Sequence, residues 1–227
     1  MGRTVFVGDL HACRDELDAL LQKVGFTADD RLVMVGDLIV RGPDPAGTIE
    51  LLRSLSARSV RGNHEERLLR WRTDPRSDSL GDLSLSAALA LSKRDWAFLE
   101  ALPLWLDLPE HGVRVIHAGL VPGVPMERQD PRILMNIRSI DKFGSPQEKR
   151  GNLLWGQVYL GPPHIVFGHN ARDTPQLHPA ATGIDTGCVY GGWLTALVLG
   201  DGQEPPPLAS RQEALVSVRA RKRYTDK

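Results

Sequence analysis

Five times along the chain, a short run of β-branched and apolar residues stops on a polar cluster: Gly8-Asp9-Leu10-His11, Gly36-Asp37, Gly62-Asn63-His64-Glu65, His117-Ala118-Gly119 and Gly168-His169. Runs of four or so such residues read as buried strands, so each cluster falls at a strand end. Between the first strands lie segments of helical period. In Arg14 to Val24, Leu17, Leu20, Leu21 and Val24 fall at i, i+3, i+4 and i+7, while Asp15, Glu16, Asp18 and Lys23 occupy the other face. Ala46 to Ser56 and Glu65 to Trp71 follow the strands Leu32 to Val35 and Val60. That alternation is the signature of βαβ units and a largely parallel sheet. In open α/β sheets ligand sites collect beyond the carboxyl ends of the strands, so five polar clusters in that position converge on one cleft.

Downstream, Ser79 to Leu106 reads as mostly helical, opened by Asp82 or Ser79 as caps. Strand character returns at Val113 to Ile116, Ile165 to Phe167, Leu194 to Leu199 and Ala214 to Val218. Recurrent proline and glycine between Leu120 and Pro163 predict loops with little regular structure. The basic tail Arg219-Ala220-Arg221-Lys222-Arg223 is expected to be a solvated end. A single domain over 1–227 with a helical insertion at about 73–106 is the expected organisation. Lys plus Arg and Asp plus Glu each number 28, which leaves no global field to draw in DNA or an anionic membrane. No apolar run approaches the ~18 residues a bilayer span needs. Two cysteines, Cys13 and Cys188, make no disulfide framework, so a soluble, cytoplasmic protein is expected. An anionic partner would need a site made locally. The oligomeric state is not legible.

The clusters supply Asp9, His11, Asp37, Asn63, His117 and His169, oxygen and nitrogen donors without a thiolate. Such a set suits Mn²⁺, Fe²⁺, Zn²⁺ or Co²⁺. Six groups exceed one tetrahedral ion but match two if a carboxylate bridges them, and paired cations serve in-line displacement at phosphorus. Arg41 offers a planar charged fork for phosphate oxygens. His64, next to Asn63, can protonate a leaving oxygen.

With these residues in place, the sequence resembles the PPP-type calcineurin-like metallophosphoesterases, whose pattern is GDxHG, GDxxDRG, GNHE, HAG and GH. The resemblance runs from about Gly8 to Leu199. GDLIVRGP at Gly36 to Pro43 and GIDTGCVYGGWLTAL at Gly183 to Leu197 are most similar to the bacterial symmetrical diadenosine tetraphosphatases and ApaH-like phosphatases. The resemblance implies a four-layer α/β/β/α sandwich of two mixed β-sheets flanked by helices. It implies that Asp9, His11 and Asp37 bind one divalent ion, with manganese the expected metal, and that Asp37, Asn63, His117 and His169 bind a second. His64 would be the general acid and Arg41 a phosphate clamp, with Asn63 also near substrate. The implied reaction is symmetrical cleavage of diadenosine tetraphosphate to two ADP by a metal-generated hydroxide. A serine/threonine/tyrosine protein phosphatase with the same metals is the alternative.

Two departures from the pattern stand out. Ala12 replaces the last glycine of GDxHG, which asks only that this position avoid positive φ. Val40 stands where the protein phosphatases carry an Asp that orients the catalytic histidine, which favours a substrate with a good leaving group. Arg138 is a candidate second phosphate contact, and Tyr190 a candidate face for stacking adenine. Trp193 is expected in the core, and Asp185 behind a metal-binding histidine.

Overall fold

Successive residues of a strand point to opposite faces, and the first strand, β1 (Thr4–Val7), divides its side chains between two cores accordingly. Val5 and Val7 face one core and Phe6 the other. The computed structural model describes residues 2–76 and 79–226. After β1 come α1 (Arg14–Val24), β2 (Arg31–Met34), α2 (Pro45–Ser54), β3 (Arg58–Ser59), α3 (Asn63–Thr73), α4 (Asp82–Ala90) and α5 (Lys93–Glu100). The second half contains β4 (Trp105–Leu108), β5 (Val113–Ile116), α6 (Pro131–Asn136), β6 (Ser139–Ile140), β7 (Pro146–Gln147), α7 (Trp155–Val158) and β8 (His164–Phe167). It closes with β9 (Gln176–His178), β10 (Ala181–Gly183), β11 (Asp185–Thr186), β12 (Trp193–Leu199) and β13 (Leu215–Arg219).

One sheet runs β11-β12-β1-β2-β3, with β13 added beside β12, and the other runs β4-β5-β8-β10-β9. β1, β2 and β3 are parallel, as are β5, β8 and β10, whereas β12, β4 and β9 pair antiparallel to their neighbours. The two mixed sheets pack face to face. Phe6, Val33 and Leu197 from the first meet Val113, Val115 and Val166 from the second. On the outer face of the first sheet, Leu17 and Leu20 of α1, Ile49 and Leu52 of α2 and Trp96 and Leu99 of α5 cover Val5, Met34 and Ala196. On the outer face of the second, Leu134 and Trp155 cover Ile165 and Phe167. Helix, sheet, sheet and helix form the four expected layers.

Several local expectations are corrected. The helical stretch from Ser79 breaks into α4 and α5, because Ser92 caps the second helix through a reciprocal hydrogen-bond pair with Asp95 (Asp95 N to Ser92 Oγ, 3.3 Å; Ser92 N to Asp95 Oδ2, 2.9 Å). Neither Ser79 nor Asp82 caps α4, which starts after Gly81. Pro103 blocks further helix, and residues 105–108 form a strand in antiparallel register with β5. Part of the expected insertion, residues 77 and 78, lies outside the described residues. The loop-rich region holds α6, capped by Asp130, and the β6–β7 hairpin. Glu16 leaves the polar face of α1 and is buried. Its Oε1 accepts from Arg221 N (3.0 Å) and from the Tyr224 hydroxyl (2.8 Å), so the basic tail is pinned on α1 rather than solvated throughout.

Candidate active site

The turns after β1, β2, β3, β5 and β8 meet at one end of the sandwich, and they do so through strained backbone. Among the described residues, six non-glycine positions have positive φ, and five of them are His11 (48°), Ala12 (58°), Asp37 (51°), Arg41 (86°) and His169 (64°). Each such conformation costs about 1–3 kcal/mol and persists where surrounding structure enforces it, which is the pattern of a functional site. Ala12 therefore does not avoid positive φ. The position that is glycine in the family pattern has left-handed backbone here and carries a methyl group on it. Glycines allow the turns to approach closely. A Cβ on Gly168 would sit 1.9 Å from Asp9 Oδ1, and one on Gly62 would sit 2.2 Å from Asp37 Oδ1.

Asp37 lies at the centre. Its Oδ1 accepts from His64 N (3.1 Å), and its Oδ2 is 3.4 Å from His117 Nε2, 3.8 Å from His11 Nε2 and 3.9 Å from His64 Nε2. Its carboxylate oxygen groups within 4.8 Å with nitrogens of His11 and His64 on one side and of His117 and His169 on the other. Asn63 Oδ1 lies 3.0 Å from His117 Nε2 and 2.9 Å from His169 Nδ1. Asp9 accepts from His169 N on both oxygens (3.1 and 3.0 Å).

The histidines are prepared as ligands by the main chain. A carbonyl can only accept, so a ring nitrogen facing one carries the proton, and the opposite nitrogen keeps its lone pair. His11 Nδ1 donates to Val40 O (2.9 Å), His117 Nδ1 to Val35 O (2.8 Å) and His169 Nε2 to Asn136 O (3.2 Å). The lone pairs of His11 Nε2, His117 Nε2 and His169 Nδ1 thus face the carboxylate and amide oxygens already gathered there. Buried acceptors facing one another are the arrangement a cation resolves, so the residues present fit divalent ions. Burial, with Asp185 and Asp37 nearby, raises the Asp9 carboxyl well above the usual range, and burial lifts Asp185 to about 6. His117 and His64 hold Asp37 well below that range against its burial.

Around this centre opens a cleft of about 310 Å³ lined by Asp9, His11, Asp37, Arg41, Asn63, His64, Arg138, Arg150, His169 and Asp185, with Tyr190 at its edge. His117 is fully buried beneath it. Arg41 pairs with neither Asp15 nor Glu65. Its guanidinium lies 5.6 Å from the Tyr190 ring centroid and 3.4 Å from His11 Nε2. Arg138 does reach the cleft. Tyr190 stands at its wall, whereas Trp193, expected in the core, is 38% exposed. Asp185 hydrogen-bonds no histidine: its Oδ1 accepts from Gly187 N (3.0 Å), beside Asp9.

Two participants escape the sequence reading. Arg150 lines the cleft, its Nε and one Nη held on Asn170 Oδ1 (2.9 and 2.7 Å), and nothing in Lys149-Arg150-Gly151 signals this. Glu65 is fully buried and accepts from Asp37 N (2.9 Å), Gly62 N (3.0 Å) and Leu38 N (2.8 Å). Its signal was present, since a glutamate three residues past the helix N-cap Gly62 is the capping-box position.

His64 is the exception to the ordered histidines. Its Nδ1 is buried without a hydrogen-bond partner, and burial pushes the imidazole down to about 4. The neighbouring loop offers Val40, whose carbonyl is taken by His11.

Residues 2–201 match the calcineurin-like phosphoesterase family model, and the chain belongs to that family. It is 30% identical over 215 residues, 84% of this chain and 87% of the relative, to an asymmetrical bis(5'-nucleosyl)-tetraphosphatase, PrpE, of Geobacillus sp. (strain WCH70). It is 43% identical over 125 residues to a symmetrical bis(5'-nucleosyl)-tetraphosphatase of Shewanella baltica (strain OS223), a match spanning 52% of this chain but only 44% of that one. A solved structure provisionally assigned as a diadenosine tetraphosphatase superposes with a TM-score of 0.82 at 35% identity, covering 96% of this chain and 94% of its own. A protein serine/threonine phosphatase of Saccharomyces cerevisiae shares the fold, with a TM-score of 0.60 at 16% identity over 96% of this chain and 79% of its own.

Proposed function

We propose that this protein is a metal-dependent hydrolase of dinucleoside polyphosphates that cleaves diadenosine tetraphosphate symmetrically into two ADP. The observation that carries the choice of an anhydride over a phosphoprotein is the unpartnered Nδ1 of His64 beside Val40. A histidine without an orienting acceptor is a weak proton donor. Serine alkoxide departs poorly without a proton, whereas a nucleoside diphosphate departs as a stabilised phosphate anion. The tetraphosphatase names of the relatives matched above point the same way.

In this reading Asp9, His11 and Asp37 hold one divalent ion, Asp37, Asn63, His117 and His169 a second, and the oxygen and nitrogen donors suit Mn²⁺. When bound, such ions supply charge for the phosphoryl oxygens and acidify water. The chain's own residues do the rest. Arg41, seated against Tyr190, offers its fork to non-bridging oxygens, and Arg138 and Arg150 add charge across the cleft. His64 holds a proton near the departing oxygen.

The reading is tested by incubating Mn²⁺-loaded protein with diadenosine tetraphosphate and, separately, with a phosphopeptide. ADP as sole nucleotide product is expected. ATP with AMP would contradict the symmetry, and dephosphorylation of the peptide alone would refute the substrate class. His64→Ala is expected to lower kcat on the dinucleotide about 10²-fold, the low end for a general acid, and to lower phosphomonoester turnover further. Unchanged turnover on both substrates would remove His64 from the chemistry.

A further inference from the structure

Beside the catalytic cleft lies a second cavity of about 380 Å³, and the two share one wall, Tyr190. Its lining comprises Asp173, Gly187, Tyr190, Gly191, Gly192, Trp193, Arg219 and Arg223, together with Thr186. We infer that this cavity is a nucleotide-binding subsite that seats the half of the substrate lying away from the attacked bond. The inference rests on the dinucleotide reading for its substrate, though its residues recognise a nucleoside phosphate on their own terms.

The composition matches a base joined to an anion. Trp193 opens β12 with its indole 38% exposed, and the Arg219 guanidinium lies 5.3 Å from its ring centroid, which holds the ring in place. Gly187, Gly191 and Gly192 leave the cavity floor bare of side chains, so a flat base can lie close to the main chain. Arg219 and Arg223 supply the charge for phosphate, and the Asp173 carboxylate can accept from ribose hydroxyls or a base amine. The volume falls in the ordinary range for a small-molecule site.

The arginines are held, although they come from the tail. Ala220 N donates to Gly192 O (2.9 Å) and Tyr224 N to Val189 O (2.9 Å), while Arg221 N and the Tyr224 hydroxyl both reach buried Glu16. Arg223 Nε donates to Tyr190 O (3.3 Å). A ligand there meets cations already ordered, which lowers the entropic cost of binding. Tyr190 has Arg41 over its ring on the catalytic side and Arg223 on its carbonyl, and Asp185 of the cleft bonds to Gly187 of the cavity. The path from the metal centre to the second cavity is thus bordered by arginine at both ends, as a polyphosphate chain requires.

The test is calorimetric titration of Mn²⁺-loaded wild type, Arg219→Ala, Arg223→Ala and Trp193→Phe with ADP and with pyrophosphate. Wild type is expected to bind ADP at least about 10-fold tighter than pyrophosphate. Each arginine variant is expected to weaken ADP about 10-fold while changing pyrophosphate far less, with the Trp193→Phe loss smaller because a ring remains. All three positions are exposed or partly so, and circular dichroism melting checks that the variants fold. Equal affinity of wild type for ADP and pyrophosphate, or wild-type ADP affinity in both arginine variants, would overturn the subsite. Hydrolysis of diadenosine tetraphosphate is scored separately. ADP bound through these residues without hydrolysis would refute the substrate reading and uphold the cavity, whereas hydrolysis with ADP binding unaltered in the variants would do the reverse.

Discussion

Replacing Asp37 by alanine is expected to abolish turnover, by at least about 10³-fold, and to remove bound divalent metal in the same step. Among the described residues, no other carboxylate is so placed. One carboxylate oxygen holds the His64 amide, and the other lies within 3.9 Å of ring nitrogens on three histidines. Alanine would also inherit a backbone at φ 51°, a strained setting that confounds the result. Asp37→Asn separates the causes, because asparagine tolerates the left-handed region and keeps an oxygen for the His64 amide while losing the charge. Without metal, His117 and His64 hold the Asp37 carboxyl well below its usual range against its burial, so its charge stabilises the fold at neutral pH. Metal-free Asp37→Asn is therefore expected to melt below metal-free wild type and to be as inactive as the alanine variant. Metal content by mass spectrometry, kcat and melting temperature decide it. Full activity or full metal content in Asp37→Asn would refute the central role.

The six donor residues were legible because each follows directly on a strand, where local pattern and final position coincide. Asp9, His11, Asp37, Asn63, His117 and His169 meet because β1, β2, β3, β5 and β8 all end at the same rim. What was not legible depends on partners far away in sequence. Glu16 reads as solvent-facing from helical period alone, and only the chain's last residues bury it. Trp193 reads as core because it starts an apolar strand, yet Arg219 and the glycines beside it leave it open. Asp185 could not be assigned a target without knowing that the turn after β8 brings His169 onto Asp9. The left-handed backbone at Ala12 is signalled only by the glycine that the family pattern carries there, since alanine ordinarily excludes that conformation. It is imposed by hydrogen bonds from Ala12 N to Leu38 O (2.6 Å) and from Asp44 N to Ala12 O (3.3 Å).

Glu65→Ala is expected to destabilise the fold by about 3–5 kcal/mol, the range for stripping the partner from a buried charge network. Three backbone N–H groups, of Asp37, Leu38 and Gly62, would lose their acceptor in a region closed to water, at about 1–3 kcal/mol each before relaxation. At about 2–4 °C per kcal/mol for a chain of this size, the melting temperature falls by roughly 10 °C. Glu65→Gln is the sharper probe. It preserves shape and one acceptor oxygen but turns an NH₂ group toward a main-chain donor, so it cannot restore all three bonds. If the amide oxygen takes the Oε2 position, Leu38 N loses its acceptor, and if it takes the Oε1 position, Asp37 N and Gly62 N lose theirs, so the turn bearing Asp37 loosens in either orientation. Glu65→Gln is therefore expected to weaken metal affinity about 10- to 100-fold, as for groups that orient ligands without touching the ion. Titrating metal into Glu65→Gln at a temperature where it is fully folded separates the two effects. Wild-type metal affinity there would confine Glu65 to helix capping, whereas weakened affinity in a folded protein means that one carboxylate both starts α3 and sets the spacing of the site.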